Sequence, residues 1–241
     1  MSPAGSRMTA RSVVLSVLLG AHPACATAGE LVLLTGDFGI RESAVRVALT
    51  RMVGAGDLVR SADGYRLSDR LLARQRRQDE AINPRLRPWD GLWTTLVITS
   101  VGTDPRTRAD LRNTLQDKRF AELREGVWMR PDNVQVELGD EITERVRILR
   151  ARDDAPVELA GRLWDLSTWA AAGRALLGAM AETDDVPIKF VVAASVVRHL
   201  LTDPVLPDEL VPDGWPGAQL RTVYEDFAAE LVARRELAEV P

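Results

Sequence analysis

Cysteine is almost absent. Cys25 is the only one in 241 residues, so no intrachain disulfide can form and no cysteine-based zinc site exists. Histidine occurs twice, at His22 and His199, far apart and without metal-ligand spacing. Any His-centred catalytic triad would have to use one of these two. Lysine is nearly missing as well: Lys118 and Lys189 stand beside 29 arginines. No stretch approaches the ~18 consecutive apolar residues that cross a bilayer, and the longest, Val186–Val197, is broken by Lys189 and Ser195. Met1–Ser12 lacks the layout of a signal peptide, Val13–Leu19 is too short an apolar core for one, and a cytoplasmic protein is expected. Phosphate loop, dinucleotide fingerprint and Gly-x-Ser-x-Gly elbow are all missing, so no enzyme activity and no cofactor are expected.

What is present can fold. Hydrophobic residues make up 46% of the chain and charged residues 27%, with a net charge of −4, which excludes disorder as the dominant state. The charge is unevenly spread. Residues 1–88 hold 13 arginines and 8 carboxylates, a balance of +5, and the remainder carries −9. A basic head on an acidic body points to one module that meets a polyanion.

Patterning divides the chain into a head (1–82), a linker (83–88, with Pro84 and Pro88), a middle domain (89–155) and a C-terminal domain (156–241). In the head, Thr9 or Ser12 can cap the apolar run Val13, Val14, Val17, Leu18. Thr27 and Glu30 have capping-box spacing before a second helix. A third helix is predicted from Glu42 to Val53, ending at Gly54 and Gly56. Two short alternating runs flank Asp63-Gly64 as a hairpin, and a helix follows over Asp69–Ala81. The middle domain is predicted as a strand over Trp93–Val101, a helix over Thr107–Leu123, strands at Val127–Met129 and Val134–Leu138, and a helix over Asp140–Arg150, with room for a closing strand. That order suggests a ferredoxin-like α/β domain. The last domain is mainly helical, over Leu166–Met180, Ile188–Leu201 and Ala218–Ala238. The fold class is α+β.

On the third helix, Val45, Ala48, Leu49, Met52 and Val53 share one side. Ser43, Val47 and Thr50 face the other way, flanked by Arg46 and Arg51, with Arg41 at the N-cap. Such a face suits a major groove, where arginine pairs with guanine, hydroxyls bond widely and a valine methyl meets thymine. Arg60 and Arg66 on the hairpin fit a wing that holds phosphate. An amphipathic helix with a solvated basic face is the plainer alternative. The head is therefore a candidate winged helix-turn-helix for double-stranded DNA. In the acidic body, Trp164 and Trp169 with Arg174, Arg198 and His199 are candidates for binding an aromatic, anionic effector; the competing role for these rings is interface packing. No nucleophile or carboxylate neighbours His199 in sequence, which makes it a structural residue rather than a base.

Thr9-Ala10-Arg11-Ser12, Phe38-Gly39-Ile40, Ala44 through Val53 and Gly64-Tyr65-Arg66-Leu67 resemble the PaaX family of bacterial repressors. So do Arg198 through Leu210 and Trp215-Pro216-Gly217. The resemblance implies a dimeric repressor of aromatic-acid catabolism released by an aryl-CoA thioester or related aromatic acid. Because one short recognition helix offers few base contacts, a homodimer on an inverted repeat is expected. The resemblance also implies a middle domain related to small metal-dependent nucleases, which keep an aspartate at the end of their first strand. Here that strand ends Ile98-Thr99-Ser100-Val101, with Asp104 beyond a glycine and no cluster of hard oxygen ligands. A nucleic-acid enzyme built on the middle domain, or a regulator lacking any effector, are the alternatives.

Overall fold

A reciprocal pair opens the first helix, α1 (Ala10–Gly20). The Thr9 hydroxyl accepts from the Ser12 amide, and the Ser12 hydroxyl accepts from the Thr9 amide. Thr27 and Glu30 form the predicted capping box of α2 (Ala28–Gly36). Helix α3 (Glu42–Gly54) begins at Arg41, whose side chain makes no cap hydrogen bond. The predicted hairpin is β2 (Leu58–Ser61) and β3 (Gly64–Leu67), and β1 (Cys25–Ala26) pairs with the free side of β3. Two residues are too few to show alternation, so β1 left no sequence signal. Gly64, at φ 121°, is obligatory here: a Cβ would run into the Ala26 carbonyl. Helix α4 (Asp69–Ile82) follows.

The computed structural model describes residues 8–100 and 104–237. The chain forms two compact units. The first comprises Met1–Ile82, Leu176–Arg198 and Arg221–Pro241; the second comprises Asn83–Ala175 and His199–Leu220. In the first, α1, α2, α3, the hairpin and α4 bury Val14, Leu18, Leu31, Leu49, Met52 and Leu67 together. Two polar side chains fasten this core. Asp57, 3% exposed, accepts from Arg11 of α1 at 2.8 Å and from Arg70 of α4 at 2.5 Å. The buried Gln75 amide reaches the carbonyls of Leu18, Leu19 and Ala21 and so satisfies the end of α1.

In the second unit, β4 (Trp93–Ile98), β5 (Ala121–Arg124), β6 (Val127–Pro131) and β7 (Val146–Ala151) form an antiparallel sheet of order β5-β6-β4-β7, with helices α5 (Pro105–Asp117) and α6 (Asp140–Thr143) between strands. Several predicted boundaries are corrected. The helix expected to run to Leu123 stops at Asp117, because Arg119 turns into the left-handed region at φ 64°. Its amide reaches the Gln116 carbonyl and the Phe120 amide reaches the Leu115 carbonyl, a Schellman closure without glycine. The next residues are then free to become β5. Val134–Leu138 is not a strand: Val134 makes one isolated bridge to Leu86, and Val136 and Leu138 pack beneath the sheet. The helix expected over Asp140–Arg150 ends after one turn, because β4 needs a partner on its second edge and Val146–Ala151 supplies it. Val101, the expected end of the first strand, lies outside the described residues.

Helices α7 (Pro156–Leu163), α8 (Leu166–Ala181), α9 (Val186–Leu200) and α10 (Gly217–Leu237), with a 3-10 turn at Asp208–Leu210, complete the chain. The molecule thus has a helical N-terminal region with a small sheet, a mixed α/β middle and a mostly helical C-terminal stretch. One sheet face packs Leu96 and Trp128 on Leu111, Leu115 and Ile142. The other packs Trp93 and Met129 on Leu159, Leu166, Leu206 and Leu210. Among the described residues, no helix is long and apolar enough to cross a membrane.

Replacing Asp57 by asparagine is expected to lower the unfolding free energy by about 1–3 kcal/mol, because a buried, doubly bonded carboxylate loses its charge-assisted partners. Arg11→Ala should cost less, since its guanidinium stays largely in solvent. Urea denaturation followed by circular dichroism measures both.

Candidate functional site

The α3 surface divides as its periodicity predicts. Val45, Leu49 and Met52 are buried, whereas Arg41, Ser43, Arg46, Val47, Thr50 and Arg51 are exposed, Val47 at 50%. Arg46 is drawn along the helix by Glu42, with Nη2–Oε1 at 2.7 Å, and the Thr50 hydroxyl donates to the Arg46 carbonyl. A partner of this face must therefore compete with Glu42 for Arg46, an exposed pair of small worth. On the hairpin, Arg60 stands opposite Tyr65 and donates to its hydroxyl at 3.1 Å, and Arg66 stands opposite Val59. Cross-strand partners share a face and successive residues alternate, so Arg60 and Arg66 project to opposite faces. Only one of them can press on a given phosphate strand.

Of the candidate effector residues, Trp169 and His199 are brought together, while Trp164, Arg174 and Arg198 do not join them. Trp169 is buried, sandwiched between His199 at 4.2 Å and Trp215 at 4.3 Å between ring centroids. Its indole N–H donates to Thr202 Oγ1 at 3.1 Å, and His199 Nε2 bonds the Trp169 carbonyl at 3.0 Å. Gly173 permits this packing, since a Cβ there would meet the Pro216 ring. Both faces of the Trp169 indole are thus occupied. Trp164 lies elsewhere, near-parallel to Trp93 at 6.4 Å, on the rim of a depression shared with Arg162 and Val211. Arg174 is exposed. Arg198 belongs to the first unit, where it is held to Ala194 and Ser195 of its own helix and lines a cavity. No sequence signal marks that cavity, because its walls come from distant segments.

Asp104 has a structural use. It caps α5, accepting from the Arg106 and Thr107 amides and from the Thr107 hydroxyl at 2.6 Å, and these bonds, the Thr107 hydroxyl's foremost, lower its pKa. Among the described residues, no group of three or more His, Cys, Asp or Glu could hold a metal ion. Cys25 is a half-buried free thiol in β1.

Comparison with known proteins follows the same layout. Three family profiles match in sequence order: PaaX-like protein over residues 9–71, PaaX protein central Cas2-like domain over 86–158, and PaaX-like protein C-terminal domain over 169–237. The transcriptional repressor PaaX of Escherichia coli is 30% identical over 239 residues, spanning 85% of this chain and 75% of the repressor. The solved structure of an uncharacterized protein from Mycobacterium tuberculosis is 67% identical, covers 96% of this chain and 99% of its own, and superposes with a TM-score of 0.86.

The His199 stack has a pH signature. Burial lowers the imidazole pKa from its ordinary 6.5, against the opposing pull of the Trp169 carbonyl and the Asp203 charge. The unfolded chain therefore takes up the proton first. Stability from this group is present above pH 6.5 and is lost as pH falls toward the lowered folded value. The expected result is that His199→Gln flattens the loss of urea midpoint between neutral and mildly acidic pH relative to the unsubstituted protein.

Proposed function

The chain belongs to the PaaX family, and on that footing we propose that it is a cytoplasmic transcriptional repressor that binds double-stranded DNA. In this reading residues 1–82 form a winged helix-turn-helix, with α3 in the major groove and the hairpin as the wing. Residues 83–88 are a linker, 89–155 a ferredoxin-like domain and 156–241 an effector and dimer domain. The sheet order β5-β6-β4-β7 with its two intervening helices supports the ferredoxin-like assignment. The observation that carries the function is the exposed face of α3. Arg41, Ser43, Arg46, Val47, Thr50 and Arg51 are exposed there while the opposite face is locked into the core.

One short helix offers few base contacts, so specificity calls for a homodimer on an inverted repeat. The effector is an aryl-CoA thioester or related aromatic acid, which must prefer the DNA-incompetent state, because equal affinity for both states shifts nothing. By reciprocity, operator DNA weakens effector binding by the same factor.

Two outcomes are expected. Affinity for duplex DNA should fall by roughly 10³-fold between low and physiological salt as arginines release counterions; an affinity that ignores salt would sink the reading. Arg46→Ala should cost about 1–3 kcal/mol and relax one operator position, whereas Arg60→Ala should weaken all sequences alike. Fluorescence anisotropy with a panel of single-base operator variants distinguishes the two.

A further inference from the structure

The first unit contains a cavity of about 440 Å³ that the DNA-binding role leaves unused. Its walls are α1, the end of α2 with Asp37 and Phe38 beyond it, α4, α9 and α10. On the apolar side Phe38 meets Phe190 edge-to-face at 5.0 Å, and Phe190 meets Phe227 in the same manner at 6.3 Å. On the polar side Arg74 and Gln78 stand one turn apart on α4, and Arg198 joins them among the lining residues. Arg74 is exposed and makes no ion pair among the described residues. The side-chain carbonyl of Gln78 is shut off from solvent and has no hydrogen-bond partner among the described residues. Such an orphan carries a penalty of about 1–3 kcal/mol until a donor arrives, and rotation of the amide would instead offer its NH₂ to an anion.

Apolar walls that converge on a few polar groups are the usual make-up of a small-molecule site, and the volume is near the lower end of the ~300–1,000 Å³ range. We propose that this cavity is the effector site, taking an apolar carboxylic acid or the acyl part of its thioester, with the body beside the Phe190 ring and the polar end at Arg74 and Gln78. The inference rests on the regulator reading and gives that effector a place: Arg198 alone carries over from the residues first nominated for it. Helix α1 makes the coupling direct. Its Val14 and Leu18 lie in the core with Leu49 and Met52 of α3, while its Ser12, Ser16 and Val17 line the cavity. A ligand that displaces α1 therefore displaces the seat of α3, and a preference for the displaced state weakens DNA binding.

The test is calorimetry on the full chain without DNA, using phenylacetate, octanoate, their CoA thioesters and the neutral amides. At least one acid or thioester should bind at one site per chain. Free acid and thioester arms report which form carries the acyl group. Ala194→Trp, which fills the cavity, should abolish binding; Arg74→Gln should weaken the anionic ligand about tenfold and leave its amide unchanged. No binding by any compound at millimolar concentration overturns the proposal, as does binding indifferent to both substitutions. Arg74 is exposed, so its substitution stays informative even if Ala194→Trp does not fold. Duplex binding measured separately on the same preparations tests the regulator reading: its loss with acid binding intact overturns that reading and retains the cavity as a ligand site.

Discussion

With only 3% of its surface exposed, Asp57 must have its charge answered inside the protein, and the guanidiniums that do so come from α1 and α4. The carboxylate sits where α3 gives way to β2, its amide bonded to Met52 and its carbonyl to Ser68. One residue thereby joins α1, the strand after α3 and the helix beyond the hairpin. Gln75 adds the end of α1 to the same arrangement. The aim of α3 depends on these bonds more than on its own cap, since Arg41 offers none. Apolar burial would hold α3 in place but would tolerate sliding; directional bonds set its angle.

The second unit uses a different device. Arg130 is buried in the sheet, donating to the carbonyls of Lys118 and Pro131, and burial lowers its pKa to about 9, so it keeps its charge at neutrality. Arg119 bonds the Asp203 carbonyl, Asn133 donates to Val205, and Asp203 accepts from the Val205 amide. Residues Asp203 through Pro207 are all buried by this polar belt. The segment Asp203–Pro207 thus completes the middle domain's packing rather than standing apart from it.

Local physics was legible in the sequence, and distant pairing was not. Thr27 with Glu30, the Asp63-Gly64 hairpin and the two-sided character of α3 each depend on residues a few positions apart, and each is found where it was expected. The middle domain's order of elements was legible while its strands were misplaced. Arg119 takes a left-handed conformation that sequence reasoning reserves for glycine, so the boundary before β5 was hidden. The residues Val146–Ala151 become a strand only because β4 stands beside them. Residue type alone points to Trp164, Trp169, Arg174, Arg198 and His199, and type does not reveal that Trp169 is already stacked on both faces. The link from Arg11 to Asp57 and the walls of the cavity belong to the same class of long-range facts.

Every basic residue of α3 and the hairpin is an arginine, and this bears on chemical permanence. Guanidinium resists the acyl transfer that converts lysine amines to neutral amides, and its charge persists at any physiological pH. The two lysines lie elsewhere: Lys118 donates to the Glu137 carbonyl, and Lys189 stands between Asp184 and Glu230. Reactive thioesters could therefore accumulate around this molecule without eroding the charge of these elements by lysine acylation. Any control they exert on that charge must be non-covalent and reversible, or act through a group other than an amine.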